Sequence, residues 1–259
     1  MKILITNDDG IASAELWAQV RELKSIAQVV VVAPDREQSA TGTAVTLRQP
    51  LRVQMINPVV PDVEAYSVEG TASDSVILAL GKLVSDKVDL VVSGINQGLN
   101  LGDDVLISGT IGAALQGYLR GIPAIAVSIT TANSPYLSNA ARLTALLAQK
   151  INSRALPPDI FLNINLPDLP LSEIKGINAT ERAHQTHIDT VKEGHDGRRE
   201  YYWLFRQKLS VDVNENTDIR ALEQGYISIT PLHATLLRKS PIAISDKMCS
   251  ELFQELCQR

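Results

Sequence analysis

The chain has 259 residues, and 29 acidic against 24 basic side chains leave a formal net charge of −5. No basic tract offsets phosphate repulsion, which argues against a nucleic-acid polymer as the main partner; a small anion met by a metal or by helix N-termini stays compatible. Hydrophobic residues at 45% and charged residues at 20% describe an ordinary globular chain, long enough for one large α/β domain or a domain with an appendage. Cys249 and Cys257 lie more than two turns apart in a C-terminal segment of helical character, too far to bridge, and are expected as reduced thiols. No basic flank leads into a long apolar stretch, and no run reaches membrane-spanning length, so a cytoplasmic protein without a membrane partner is expected.

Taken in chain order, an apolar first strand over 2–6 runs into Thr6-Asn7-Asp8-Asp9-Gly10 and then a helix over 13–26. Neighbouring side chains alternate faces along a strand, so Asp8 and Asp9 converge only where the chain leaves the sheet. A second strand over 29–33 ends at Ala33-Pro34-Asp35, followed by a polar loop carrying Ser39 and Gly42. Runs over 51–55 and 63–67 flank Asn57-Pro58 and Pro61-Asp62, the pattern of a hairpin or edge pair. A helix over 73–85 leads to a strand over 90–93 and the loop Ser93-Gly94-Ile95-Asn96-Gln97-Gly98-Leu99-Asn100-Leu101-Gly102. Ser108-Gly109-Thr110 opens a helix over 111–120, followed by a strand over 122–127, a helix over 139–151 and a strand over 160–164. Short β-branched strands alternating with helices predict a mostly parallel sheet with helices on its faces, a Rossmann-like α/β core over residues 1–170.

The character changes beyond Pro167. Residues 181–200 carry three of the four histidines with little periodicity, and Glu200-Tyr201-Tyr202-Trp203-Leu204-Phe205 concentrates aromatics in one strand. Such a strand more often covers a core or a partner subunit than it binds a cofactor. Gly225-Tyr226 opens a last strand stopped by Pro231, and a terminal helix is expected over 245–258. Residues 171–259 are thus expected to form an extension for oligomerisation that partly returns to the core. His233 is expected as a surface histidine.

Carboxyl ends of strands in open α/β sheets are where ligands bind. Asp8 and Asp9 repel unless a cation sits between them, and Asn96 offers the neutral oxygen that Mg²⁺, Mn²⁺ or Ca²⁺ accept. Ser39 supplies a hydroxyl for the same shell, and Gly42 lets backbone approach an anion. Ser108, Gly109 and Thr110 present free N–H groups and the positive end of a helix dipole, a seat for phosphate. Each motif alone has a plainer reading as a cap or turn. A hard-metal site facing a phosphate accounts for all of them together. Neither a dinucleotide fingerprint after the first strand nor a Walker A pattern occurs.

Ile5 to Gly10, Ala33-Pro34 with Ser39, Ser93 to Asn96 with Gly98, Asn100 and Gly102, and Ser108-Gly109-Thr110 together resemble the SurE family of stationary-phase survival proteins. The similarity continues through Phe161-Leu162-Asn163-Ile164-Asn165-Leu166-Pro167, Tyr201-Tyr202-Trp203, Gly225-Tyr226 and Thr230-Pro231-Leu232. The resemblance implies a metal-dependent phosphatase acting on nucleoside 5′-monophosphates, with 3′-esters and short polyphosphate as further substrates. It implies one divalent cation per subunit, Mg²⁺ or Mn²⁺, on Asp8, Asp9, Ser39 and Asn96, with Ser108, Gly109 and Thr110 bordering phosphate. Catalysis would then rest on Asp8, Asp9, Asn96, Ser108 and Thr110. It further implies a homodimer or homotetramer that exchanges a C-terminal segment. The chain departs from the family pattern at Ala40, Ala72, Ser75 and Ala234. Two rivals are a haloacid-dehalogenase-like phosphatase, whose second aspartate would fall where Gly10 stands, and a nucleotide-binding regulator without turnover.

Overall fold

The computed structural model describes residues 1–131, 134–184, 187–208 and 214–233; the expected terminal helix, both cysteines and Ala234 lie outside them. Nine strands form the main sheet in the order β3-β4-β2-β1-β5-β6-β7-β11-β8. These are β1 (Lys2–Thr6), β2 (Gln28–Pro34), β3 (Val53–Met55), β4 (Glu64–Val68), β5 (Leu90–Gln97), β6 (Ala124–Ile129), β7 (Phe161–Leu166), β8 (Ile177–Ala179) and β11 (Ile227–Pro231). From β4 across to β7 every neighbouring pair is parallel. Only β3 on β4 and β11 on β7 run antiparallel.

Parallel strands covered on both faces must be apolar on both, and β1 is: Ile3 and Ile5 pack in one core cluster, Leu4 in the other. Helices α1 (Ala14–Lys24) and α4 (Leu137–Asn152) line the first face; α2 (Ala72–Leu78) and α3 (Gly109–Tyr118) line the second. Ser13 starts α1 by accepting from the Leu16 N–H at 3.4 Å. Thr71 and Asp74 start α2 with a reciprocal capping box. The expected helix over 73–85 closes early, its last turn widening to a π turn over Ala79–Leu83. The predicted edge pair is present as β3 and β4, with β4 also parallel to β2.

Two C-terminal strands, β8 and β11, extend the main sheet beyond β7. Between them β9 (His187–His195) and β10 (Glu200–Lys208) form a separate antiparallel pair. β9 falls in the stretch that shows no periodicity in sequence. Neither face of this pair rests on a core: Tyr202, Trp203 and Leu204 are all more than half exposed. A short helix α5 (Asp218–Glu223) precedes β11. No helix among the described residues is long and apolar enough to cross a membrane.

Ile5 is fully buried and Leu47 is 86% exposed. Ile5→Ala is expected to cost about 2–5 kcal/mol in urea unfolding, whereas Leu47→Ala should stay within about 0.5 kcal/mol.

Candidate functional site

The carboxyl ends of β1 and β5 and the start of α3 meet at one sheet edge. Asp8 is buried and Asp9 half-buried. The loop after β2 closes over them, its Gln38 N–H donating to the Asp8 carbonyl at 2.7 Å. From the other side the first turn of α3 lands on Asp8. The Thr110 hydroxyl donates to Asp8 Oδ1 at 2.5 Å. A Cβ on Gly109 would lie 2.8 Å from both Asp8 Cβ and Asp8 Oδ2, so only glycine permits this approach. One turn on, a Cβ on Gly112 would stand 2.1 Å from the Gly42 carbonyl oxygen. The glycines thus bring helix against loop and carboxylate at backbone distance.

Burial dominates the electrostatics. It pushes the Asp8 carboxyl above the ordinary carboxylate range, against hydrogen bonds from the Thr110 side chain and backbone that favour the charged form. Asp9 is pushed up to about 7, first by burial and then by the neighbouring Asp8 charge, with the Gln97 N–H at 3.3 Å opposing. Glu37 raises both, and Glu15 raises Asp9 as well. Among the described residues, the leading influences on both carboxyls are burial, hydrogen bonds and neighbouring acids.

The sequence-predicted residues divide. Asp8, Asp9, Gly109 and Thr110 are brought together. Asn96 stands at the end of β5, its Nδ2 donating to the Gly98 carbonyl at 2.7 Å, which leaves its oxygen as the atom available to a ligand. Ser108 caps α3 by accepting from the Ile111 N–H at 3.2 Å, so its own hydroxyl proton stays available. Ser39 is exposed and donates to Glu37 Oε1 at 2.8 Å. Gly42 departs from its expected part: its N–H already donates to the Ile107 carbonyl at 2.8 Å, and the residue serves close packing with α3. Ala40 holds a φ of 57°, the left-handed region that favours glycine. Of the histidines, His233 lies edge-on to Tyr118 at 6.1 Å, beside the Tyr118–Phe161 stack rather than at the aspartates.

Sequence reasoning assigned no role to Asn163, Asn165 and Ser128, all fully buried on β7 and β6. Asparagines at alternate positions of an otherwise apolar strand were the available signal. Nor did it single out Glu15, buried on α1, which accepts from Ser13 and from Gln97 Nε2 at 2.8 Å.

Both aspartates bind protons more tightly in the folded state than an ordinary aspartate does. At Asp9 the folded protein therefore holds more of a proton than the unfolded chain from about pH 4 to about 7, and its ionisation progressively reduces stability across that window. With chelator present, the urea midpoint of Asp9→Asn minus that of the parent chain should grow from pH 4 to 7 and then level off. A difference that stays flat with pH would contradict the assignment.

Three comparisons bear on this geometry. The family model described as Survival protein SurE matches residues 3–189. The 5′-nucleotidase SurE of Dehalococcoides mccartyi is 60% identical over 248 residues, covering 95% of this chain and 94% of the relative. That of Heliobacterium modesticaldum is 44% identical, covering 93% and 89%. The crystal structure of the SurE protein from Aquifex aeolicus superposes with a TM-score of 0.76 at 32% identity, covering 99% of both chains. Family model, relatives and fold agree, and the chain belongs to the SurE family.

Proposed function

We propose that this chain is a metal-dependent 5′-nucleotidase, releasing phosphate from nucleoside monophosphates at the edge formed by β1, β5 and α3. The observation that carries this is the adjacent pair of Asp8, buried, and Asp9, half-buried, both with raised proton affinity, in a chain so close to proteins named 5′-nucleotidase SurE. Among the described residues no three His, Cys, Asp or Glu side chains gather as a metal cluster. Two carboxylates with the amide oxygen of Asn96 form instead a hard, oxygen-only set, the kind Mg²⁺ and Mn²⁺ take while keeping several waters. Ser39 would join it by releasing Glu37.

One such cation per subunit would neutralise phosphate oxygens and acidify the attacking water. The chain's own residues divide the remaining work. Asp8, fixed by Thr110, holds its place. Asp9 is less buried and is met by a single long backbone hydrogen bond, which suits it to accept the proton of the attacking water. The Gly109 N–H and the Ser108 hydroxyl donate to the phosphate oxygens as charge shifts in the transition state. Substrates extend by family resemblance to 3′-esters and short polyphosphate. A nucleotide-binding regulator without turnover has no feature here in its favour.

We also assign subunit assembly, as a homodimer or homotetramer, to the β9–β10 pair. A two-stranded hairpin with exposed aromatics on both faces is marginal alone and gains stability from a covering partner.

Phosphate release from AMP or GMP with Mg²⁺ or Mn²⁺ should stop on chelation. Thr110→Ala, which removes the partner that holds Asp8, should lower kcat by ~10–100-fold, and Asp8→Asn by more. Near-normal turnover of Asp8→Asn would place the chemistry elsewhere. Trp203→Lys with Leu204→Lys should reduce the mass seen by light scattering, and an unchanged mass would remove the hairpin from the interface.

A further inference from the structure

Strand β7 carries two side chains that its surroundings do not call for. Leu162, Ile164 and Leu166 pack into one core cluster, while Asn163 and Asn165 stand on the opposite face, both fully buried. A buried primary amide is costly unless hydrogen-bonded. Both asparagines direct their amides to the backbone of one residue, Asn100, in the loop between β5 and α3. Asn165 grips it from two sides: its Oδ1 accepts from the Asn100 N–H at 2.8 Å, and its Nδ2 donates to the Asn100 carbonyl at 3.1 Å. Asn163 Nδ2 donates to the same carbonyl at 2.8 Å, even though its own Oδ1 has no protein partner.

The side chain of Asn100 then points back toward the aspartates. Its Nδ2 donates to Ser128 Oγ at 2.9 Å and reaches Thr110 Oγ1 at 3.5 Å. Ser128 sits on β6 in register with Asn165, so β6 and β7 together frame this one loop residue. A threonine hydroxyl has one proton and can accept through its lone pairs. An N–H approaching Thr110 Oγ1 occupies a lone pair and turns the proton toward Asp8 Oδ1, where the 2.5 Å bond lies. An unbroken buried chain thus runs from β7 through Asn100 and Thr110 to Asp8.

We propose that Asn165 and Asn163 are positioning residues of the active site, gripping the Asn100 backbone so that Asn100 and Thr110 hold the Asp8 carboxylate in its working orientation. The inference rests on the nucleotidase reading above. It adds that the fixed point of the catalytic edge lies on β7, three strands away from β1.

Asn165→Leu keeps the γ-branched, four-heavy-atom outline of the side chain and removes both bonds to Asn100; Ser128→Ala removes only the anchor of the Asn100 side chain. Loss of such outer partners typically costs ~10–100-fold in activity or affinity. Asn165→Leu should lower kcat within that range with KM changed less than about threefold, and Ser128→Ala should lower kcat by a smaller factor. Amide exchange at Asn100, followed by NMR, should speed up in Asn165→Leu. Ser228→Ala is the control. Ser228 lies in register with Asn165 on β11, but its hydroxyl bonds only Thr180 at 2.7 Å and Thr230 at 3.4 Å, so it should lower Tm and leave kcat unchanged. Unchanged kcat or unchanged Asn100 exchange in Asn165→Leu would overturn the proposal. So would a kcat loss in Ser228→Ala equal to that in Asn165→Leu. Should Asn165→Leu fail to fold, Ser128→Ala decides by its kcat: a loss supports the chain through Asn100 and an unchanged value overturns it. Asp8→Asn run in parallel separates the two claims: full turnover there rejects the site itself, while its loss beside an unaffected Asn165→Leu rejects only the role of β7.

Discussion

The contact on which the molecule turns is the seating of the first turn of α3 on the Asp8 carboxylate. It brings a helix N-terminus, a hydroxyl and a backbone to one buried acid, and it requires a residue without a Cβ at position 109. The rest of the edge follows from that approach. With α3 this close, the loop after β2 is trapped between it and β1, and Gly42 meets Gly112 at backbone distance. The small residues opening α3 are therefore the geometric condition for burying Asp8 with partners rather than with water.

Burial also creates the imbalance the site works with. Asp8 gains hydrogen bonds that offset part of its desolvation, while Asp9, beside it, gains little and feels the Asp8 charge directly. Glu37 and Glu15 add further negative potential. Acids gathered this closely at one helix N-terminus repel one another unless a counter-charge joins them. The arrangement suits a cation and an anion arriving together, one to neutralise the carboxylates and the other to meet the helix.

The same stretch of chain ties this edge to the C-terminal region. Asp218 on α5 accepts from the Gly102 and Ala183 amides, both near 3 Å. Arg182 bridges to Asp103 at 3.0 Å, and Arg206 of β10 lies 3.6 Å from Asp104. The segment leading to Ser108 is thereby fastened to the hairpin proposed as the subunit interface.

The sequence alone determined the elements and their order in the core. Apolar, β-branched runs separated by amphipathic ones dictate a parallel sheet, because such strands fold only where both faces are covered. It also marked Asp8, Asp9, Asn96 and the start of α3, since adjacent acids, glycines and hydroxyls at strand ends are local signals. It gave no sign of β9, whose residues lack alternation because neither face of that strand lies on a core. Nor did it show that Gly42 has its amide engaged with Ile107, or that Ser39 faces Glu37. Only the tertiary structure placed Asn163 and Asn165 against Asn100, residues more than sixty positions apart joined by a strand crossing. A motif records which groups are near in the chain; which polar group meets which inside a sheet edge is decided by how strands and helices pack.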